Sequence, residues 1–312
     1  MRAFLFPGQG SQSVGMGAAL AEASRAARDT FEQVDEALGQ NLFRLMREGP
    51  DEELRLTENA QPAIMAHSMA VFAALTTEGG VEFAKATQFV AGHSLGEYSA
   101  LCAAGSFDLA TTAKLLKLRG QAMQRAVPVG EGAMCALLGA DLALARRIAE
   151  AAAQGEVCAV ANDNDPSQVV LSGHKGAIDR AIEVAKEMGA KRAVPLPVSA
   201  PFHCPLMQPA AEAMRDALSY VVLESPAVPL FANVTAQAES DPDTIRGLLV
   251  EQVTGMVRWR ESVANMAQAG VEDFVELGGK VLGAMVKRIA PDAKVTSVVT
   301  IEDVEALAKE IA

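Results

Sequence analysis

Residues 89–98 read Phe89-Val90-Ala91-Gly92-His93-Ser94-Leu95-Gly96-Glu97-Tyr98 and place one serine between two glycines. An apolar run precedes this serine and a helix-like run follows it, which is the strand–turn–helix pattern that exposes a nucleophilic serine. Gly92 and Gly96 permit a turn tight enough to raise the Ser94 hydroxyl at the strand end. The N–H of Leu95 then points to where an oxyanion would form, at the positive end of the new helix. The segment is compatible with a catalytic elbow and with an ordinary glycine-punctuated turn.

Composition narrows the class of protein. The 312 residues are 50% hydrophobic and 21% charged, which is an ordinary globular composition and enough chain for one large α/β domain or a domain with an insertion. The net charge of −12 argues against nucleic-acid binding. No apolar run reaches the length of a membrane span, and the start of the chain is typical of a first strand rather than a signal peptide.

The cysteine and histidine content predicts no zinc cluster. Four cysteines are scattered without a C-x-x-C pair, and there are only four histidines. Buried, reduced thiols in the cytoplasm are the expectation.

Alternating strand and helix patterns predict a parallel, doubly wound sheet in the first part of the chain. The predicted strands there are residues 2–6 and 89–91, and the predicted helices include 62–75 and 109–126. Three later strands, near 228–232, 273–277 and 294–299, should return the chain to this sheet.

Between these parts, the pattern predicts a complete β-α-β-β-α-β unit of the ferredoxin-like type. We therefore predict an α/β-hydrolase-like body, residues 1–128 and 198–312, and an inserted subdomain, residues 129–197. A lid-like insertion creates a cleft, and ligand sites favour such interfaces. The predicted elements of the insertion are strands 133–138, 157–161, 168–172 and 192–196, helices 141–154 and 176–188, and a turn at 162–166.

Only one histidine is well placed to serve Ser94. His203 lies in a proline-rich loop that leads from the inserted unit back to the body, although it could instead cap the next helix. His93 should point away from its neighbour across the turn, His67 lies on an apolar helix, and His174 is expected in a solvated loop. No acidic residue is compelling as an orienting partner for His203, so a neutral group could hold it.

Two further features suggest substrate contacts. Residues 7–12 follow the first strand, where parallel sheets place ligand loops. Ser13 and Met16 rule out a dinucleotide fingerprint and a phosphate loop, which leaves a plain turn or a loop whose backbone and Gln9 approach a substrate. Arg119 lies close to the apolar stripe of its helix. A buried guanidinium needs an anion, either an internal carboxylate or one from a substrate.

Four motifs recur together in one known family: residues 6–12, residues 92–97, Arg119-Gly120, and the Pro-x-His segment that ends at His203. In this order and spacing, the chain closely resembles the malonyl-CoA:acyl carrier protein transacylases of bacterial fatty-acid synthesis, which are related to polyketide-synthase acyltransferase domains. The resemblance runs from the first strand to the C-terminal helix and includes the inserted unit.

The resemblance implies roles for the residues that match its motifs. Ser94 would be the nucleophile and His203 its base. The backbone N–H groups of Gln9 and Leu95 would form the oxyanion hole, and Arg119 would pair with the free carboxylate of the malonyl group.

The resemblance also implies roles for residues that the motif analysis did not single out. The main-chain carbonyl of Gln252 would orient the catalytic histidine. Asn162 and the pair Lys191-Arg192 would line the path of pantetheine and the CoA phosphates. Phe202 departs from relatives that carry serine before the histidine, and it should narrow the pocket around the α-carbon, which leaves the tolerance for branched acyl groups open.

The implied activity is ping-pong transfer of a malonyl group from malonyl-CoA to the phosphopantetheine thiol of acyl carrier protein, through a malonyl-serine. Both thioesters are substrates, and the resemblance implies no metal or other cofactor and a cytoplasmic, monomeric enzyme. The alternatives are an acyltransferase for methylmalonyl or another acyl-CoA, a serine esterase or thioesterase, and a non-catalytic carrier-docking module. Arg119, the inserted unit and the missing triad acid weigh against a hydrolase.

Carrier proteins of this kind are acidic, and so is this chain, so a local basic patch must steer their association. The candidates near the predicted cleft are Lys191, Arg192, Lys280, Lys287 and Arg288.

Overall fold

The computed structural model describes residues 1–311. None of the helices within these residues combines the length and the apolar character needed to cross a bilayer. The strands are β1 (Arg2–Phe6), β2 (Phe89–Gly92), β3 (Gly132–Leu138), β4 (Cys158–Asp165), β5 (Gln168–His174), β6 (Arg192–Pro195), β7 (Leu230–Phe231), β8 (Ala238–Glu239), β9 (Asp273–Leu277) and β10 (Lys294–Val298). The α-helices are α1 (Ala18–Ala23), α2 (Arg25–Leu38), α3 (Leu42–Glu48), α4 (Asp51–Arg55), α5 (Thr57–Ala73), α6 (Phe83–Ala86), α7 (Gly96–Ala103), α8 (Leu109–Ala126), α9 (Leu142–Ala153), α10 (Lys175–Glu187), α11 (Gln208–Ser219), α12 (Pro242–Gln252), α13 (Trp259–Gln268), α14 (Leu282–Ile289) and α15 (Ile301–Ile311).

The larger sheet has the strand order β10-β9-β1-β2-β7-β8, and all neighbours are parallel except the edge pair β7–β8. Alternate residues of β1 face opposite sides: Phe4 and Phe6 join one hydrophobic core, Ala3 and Leu5 the other. An apolar strand covered on both faces is what a parallel sheet with helices on each side requires. The predicted α/β class and the strands of this sheet are confirmed, whereas the short β8 was not foreseen.

Helix α5 begins at Thr57, five residues before the predicted start at Pro62. Proline is common in the first turn of a helix, so Pro62 suggested a helix start. Here it lies in the second turn of a helix that is buried almost throughout. Helix α5 packs on α8, which begins and ends as predicted.

The smaller sheet is antiparallel in the order β4-β5-β3-β6. Helices α9 and α10 pack on it around a separate core that contains Leu137, Ile148, Val169 and Ile178. The predicted β-α-β-β-α-β order is confirmed. The bounds of the two domains, 1–128 with 198–312 and 129–197, stay a prediction.

The predicted turn at 162–166 is wrong, because β4 continues through Asp165 and only the next two residues turn into β5. Asparagine and aspartate disfavour strands when their side chains lack partners. In this strand the side chains reach the larger body: Asp163, for example, forms an ion pair of 2.8 Å with Arg260. The main chain of Val257 adds hydrogen bonds to Ala161 (2.8 Å) and Asp163 (2.9 Å). The smaller sheet is thus fastened to the body beside the end of β2.

Candidate active site

Ser94 lies on a turn so tight that glycine is required on both sides of it. Its φ of 54° is in the left-handed region, which a serine occupies only when its surroundings enforce it. A Cβ on Gly92 would lie 1.9 Å from the carbonyl carbon of Gly96, and a Cβ on Gly96 would lie 2.3 Å from the carbonyl oxygen of Phe6. The close crossing of β2, the turn and α7 therefore explains the Gly-His-Ser-Leu-Gly spacing.

Asn233, Gln252 and Glu97 form a buried hydrogen-bond network that holds this turn. Ser94 donates its main-chain N–H to Asn233 Oδ1 (2.8 Å), and Asn233 Nδ2 donates to the carbonyl of Gly92 (2.7 Å). Gln252 Nε2 donates to the carbonyl of Ser94 (2.9 Å) and to Glu97 Oε2 (2.6 Å). The strained serine is therefore held through its own N–H and C=O groups.

The Ser94 hydroxyl lies beside His203, the histidine that the sequence favoured as its base. Ser94 Oγ lies 2.7 Å from His203 Nε2, and His203 Nδ1 lies 2.8 Å from the main-chain carbonyl of Gln252. Because a carbonyl can only accept, Nδ1 carries the proton and Nε2 presents a lone pair to the serine. Burial, reinforced by the charge of Arg119, lowers the pKa of His203 to about 3. The imidazole is therefore neutral at pH 7 and can accept a proton, and a main-chain carbonyl replaces the usual orienting carboxylate.

The other histidines are engaged elsewhere. His93 Nε2 lies 2.8 Å from Asn164 Oδ1, away from the serine, and His67 binds a main-chain carbonyl in the core of the body. The expected solvated loop at His174 is wrong. That residue ends β5, and its Nδ1 accepts the N–H of Val157 at 2.9 Å, which fastens the entry to β4.

Arg119 is buried without a carboxylate partner. Its Nη1 donates to Gln61 Oε1 and its Nη2 to Gln252 Oε1, both at 2.8 Å, and Nη2 lies 3.4 Å from Ser94 Oγ. Its Nε has no hydrogen-bond partner, and no carboxylate of residues 1–311 lies within 4.0 Å of the guanidinium. The sequence left open whether the partner of Arg119 is an internal carboxylate or one from a substrate, and no internal carboxylate of residues 1–311 contacts it directly. The cation is held by neutral amides beside the serine.

A cavity of about 250 Å³ opens between the turn and the smaller sheet. The main-chain N–H groups of Gln9 and Leu95 donate to no residue within 1–311, so both are free to bind an oxygen. Asn162, within β4, and Phe202 also line the cavity. The lining residues are Gln9, Gly10, Gln12, Arg55, Gln61, His93, Ser94, Leu95, Arg119, Met123, Met134, Asn162, Leu196, Pro197, Val198, Phe202 and His203.

Lys191 and Arg192 do not line this cavity. Both are exposed, and Arg192 pairs with Leu138 at the end of β6 that lies away from Leu196. Leu196 lies four residues after Arg192 along this extended segment, which is about 13 Å of chain. Only a ligand that extends well outside the cavity could reach them.

Sequence reasoning missed several residues that build the site. Asn233 follows a short strand at the carboxyl edge of the parallel sheet, a position that could have drawn attention to it. Gln61 is a polar residue on an otherwise apolar helix, and Glu97 lies in the quoted motif without a role. All three are buried within the site, and only their distant partners show what they do.

Comparison with known proteins identifies the family to which this chain belongs. Residues 3–299 match the family described as acyl transferase domain. Malonyl CoA-acyl carrier protein transacylase of Escherichia coli (strain K12) is 46% identical, with 92% of each chain covered. The Bacillus subtilis (strain 168) protein of that name is 43% identical over 97% of this chain and 95% of its own.

Solved structures agree with these sequence relatives. The acyl-carrier-protein-S-malonyltransferase from Bartonella henselae has a TM-score of 0.97 at 52% identity, with 99% of each chain covered. A malonyl-transacylase solved in complex with a type II PKS acyl-carrier protein has a TM-score of 0.95 at 39% identity, again over 99% of each chain. On both lines of comparison, this chain belongs to the malonyl CoA-acyl carrier protein transacylases of the acyl transferase domain family.

Proposed function

We propose that this protein transfers the malonyl group of malonyl-CoA to the phosphopantetheine thiol of acyl carrier protein. The observation that carries the proposal is Arg119, a buried cation without a carboxylate in contact, whose Nη2 lies 3.4 Å from the hydroxyl of Ser94. An acyl group on Ser94 that ends in a carboxylate would supply the missing anion. A plain esterase has no use for a buried cation at this point.

In the first half-reaction, Ser94 Oγ attacks the thioester carbonyl while His203 Nε2 takes the hydroxyl proton. The N–H groups of Gln9 and Leu95 bind the oxyanion that develops. Collapse of the tetrahedral intermediate breaks the C–S bond, and the imidazolium returns its proton to the CoA sulfur. The product is a malonyl ester of Ser94, and the main-chain carbonyl of Gln252 holds the imidazole in the required tautomer.

In the second half-reaction, the phosphopantetheine thiol gives its proton to His203 and attacks the ester. The same N–H groups hold the oxyanion, and the departing Ser94 oxygen recovers a proton from Nε2. Both steps are acyl transfers between oxygen and sulfur, so the proposed chemistry requires no electron acceptor and no cofactor. Asn162 and Phe202 both line the cavity, which supports contact of Asn162 with the pantetheine arm and a limit on the space at the α-carbon from Phe202.

Mass spectrometry of the intact protein after mixing with malonyl-CoA tests this proposal. We expect a malonyl adduct on Ser94 that disappears when acyl carrier protein with its phosphopantetheine arm is added, with malonyl-carrier appearing in equal amount. The Ser94→Ala variant should form no adduct. A wild-type protein that hydrolyses malonyl-CoA without passing the group to the carrier, or that forms no malonyl-serine, would overturn the proposal.

We further propose that the carrier protein docks near Lys191 and Arg192. Two of the other basic candidates serve the fold: Arg288 Nη1 pairs with the buried Asp165 at 2.7 Å, and Lys287 Nζ donates to the carbonyl of Ala293 at 2.6 Å. Lys280 is exposed and remains a candidate. Lys191 and Arg192 are exposed and at a distance that suits a partner outside the cavity.

Reversing both charges, Lys191→Glu with Arg192→Glu, tests this docking face. The KM for carrier protein should rise at low salt, and the effect should shrink as salt increases, because exposed charges are screened within about 8–10 Å at physiological ionic strength. Malonyl-serine formation is measured in the same variants, because Lys191 and Arg192 are also expected along the path of the CoA phosphates. Lys186→Glu, on the exposed face of α10, is the matched control. Equal carrier kinetics in the double variant and the control would place the docking face elsewhere.

The proposal also includes the location and the oligomeric state of the protein. The cysteines are unpaired in the structure, which supports a reducing, cytoplasmic location. Only six large apolar side chains of the described residues are exposed, with Tyr220 and Val222 near one another in the chain, which supports a monomer. Light scattering on the purified protein would test the oligomeric state.

A further inference from the structure

Glu97 is a buried carboxyl beneath the serine turn that takes no part in the proposed reaction. It is 1% exposed and lies in the first turn of α7. Its Oε2 accepts from Gln252 Nε2 at 2.6 Å and more weakly from the N–H of Asn233 at 3.4 Å. The groups that face it are therefore mostly neutral, and a buried carboxylate in such surroundings needs a positive charge nearby.

Arg119 supplies that positive charge, and the side-chain amide of Gln252 lies between it and Glu97. The Gln252 side chain donates through Nε2 to Glu97 and accepts through Oε1 from Arg119 Nη2 at 2.8 Å. A flipped amide would turn its NH₂ group towards the guanidinium, so the two charged residues together fix its orientation. Since the main-chain carbonyl of Gln252 also holds His203, this one residue connects the carboxylate, the cation and the base.

We infer that Glu97 is the internal counter-charge of Arg119 and that it takes up a proton when an acyl carboxylate replaces it as the partner of that arginine. Before acylation, one carboxylate and one guanidinium share the buried site and their charges balance. A malonyl group on Ser94 adds a second negative charge beside Arg119, whose Nη2 lies 3.4 Å from the serine oxygen. Two carboxylates cannot both remain ionised against one buried cation, and the one without direct contact to the guanidinium is protonated. This inference rests on the proposed function.

The neighbouring titratable groups leave Glu97 as the group that can respond near neutral pH. Burial raises the pKa of Glu97 to about 7, whereas the hydrogen bond from Gln252 and the charge of Arg119 act in the opposite direction. The pKa of Tyr98, beside it on α7, is raised by burial to about 12, and that of His203 is lowered to about 3. Neither titrates between pH 5 and pH 8.

Proton uptake during malonyl-serine formation tests this inference. Wild-type protein is mixed with malonyl-CoA in weakly buffered solution with a pH indicator, and malonyl-serine is counted by mass spectrometry in the same samples. We expect about half a proton taken up per malonyl-serine at pH 7, since a group with a pKa near 7 is half ionised there, and close to none at pH 5. Uptake by His203 would show the opposite trend and be largest at acidic pH.

Two substitutions identify the group. Glu97→Gln keeps an acceptor for Gln252 but cannot titrate, so uptake should vanish while malonyl-serine still forms. Glu276→Gln removes another fully buried carboxyl, which binds the N–H groups of Val281 and Gly283, and should leave uptake unchanged. If Glu97→Gln does not fold, the wild-type pH profile alone decides. Malonyl-serine without proton uptake at pH 7, or uptake that persists in Glu97→Gln, overturns the inference about Glu97 but leaves the transacylase proposal intact. Absence of malonyl-serine in the wild-type protein overturns the transacylase proposal.

Discussion

Replacing Arg119 by alanine should separate malonyl transfer from acetyl transfer. The guanidinium nitrogen Nη2 lies 3.4 Å from Ser94 Oγ, so it can donate to a carboxylate carried by that oxygen. A hydrogen bond to a charged group contributes about 1.5–3 kcal/mol, and about 3 kcal/mol corresponds to roughly a 10²-fold change in rate. We expect malonyl-serine formation to fall by about 10²-fold or more in Arg119→Ala, whereas formation of acetyl-serine should hold steady or rise relative to it. Arg119→Lys should also lose malonyl transfer, because a single ammonium cannot reproduce the planar fork.

The assay is the rate of each acyl-enzyme, measured by quenched flow and mass spectrometry with malonyl-CoA and acetyl-CoA. Lys117→Ala is the control, since Lys117 lies on the same helix but pairs with Glu58 away from the cavity. Thermal unfolding of each variant reports whether the freed amides of Gln61 and Gln252 destabilise the protein. An equal loss for both acyl groups at unchanged stability would show that the arginine is structural, and the proposed selection by charge would fall.

Three more outcomes follow from the site. Ser94→Ala should abolish the acyl-enzyme and His203→Ala should lower transfer by several orders of magnitude, with the double variant scarcely worse than Ser94→Ala; strictly additive losses would separate the two residues into different steps. Gly92→Ala should give inactive or unfolded protein, because the new Cβ would lie 1.9 Å from the carbonyl carbon of Gly96, and an active, fully stable variant in denaturant titration would contradict the geometry. Glu97→Gln should be more stable than wild type at pH 8 but not at pH 4. A carboxyl pKa raised from 4.5 to about 7 by folding contributes stability that is full below pH 4.5 and lost as pH rises through 7, at most about 3 kcal/mol; unfolding curves at both pH values check the sign.

The sequence was most informative where local patterns repeat. The apolar strand that ends in Gly92 and the inserted β-α-β-β-α-β order could both be predicted, because periodicity and glycine spacing act over a few residues. The same local rules failed at β4, where asparagine and aspartate suggested a turn. There, contacts to Arg260 and Arg288 of the larger body override the local preference, and no pattern within the strand reveals them.

The residues of the candidate site also divide into those that local sequence predicts and those that distant contacts determine. Ser94 and Arg119 could be found from their local sequence, and His203 from its place in a proline-rich loop between the two parts of the chain. The place of Asn233 after a strand could have drawn attention to it, but its role could not be predicted, since its hydrogen bond to the serine turn spans 139 residues of sequence. Buried polar networks are specified by distant partners that satisfy one another, so single-sequence patterns carry little trace of them.

The replacement of a triad carboxylate by the carbonyl of Gln252 fits the charge of the proposed substrate. An ionised carboxylate at His203 Nδ1 would raise the pKa of the imidazole, and it would place a negative charge close to Arg119. Such a carboxylate would compete with the incoming acyl carboxylate for the guanidinium and would repel the acyl group. A neutral carbonyl fixes the same tautomer at 2.8 Å without adding charge, so the positive field of Arg119 remains available to the acyl group. Within residues 1–311, the carboxylate that accompanies this cation is Glu97. One amide separates the two, and protonation of Glu97 can remove its charge when a substrate carboxylate arrives.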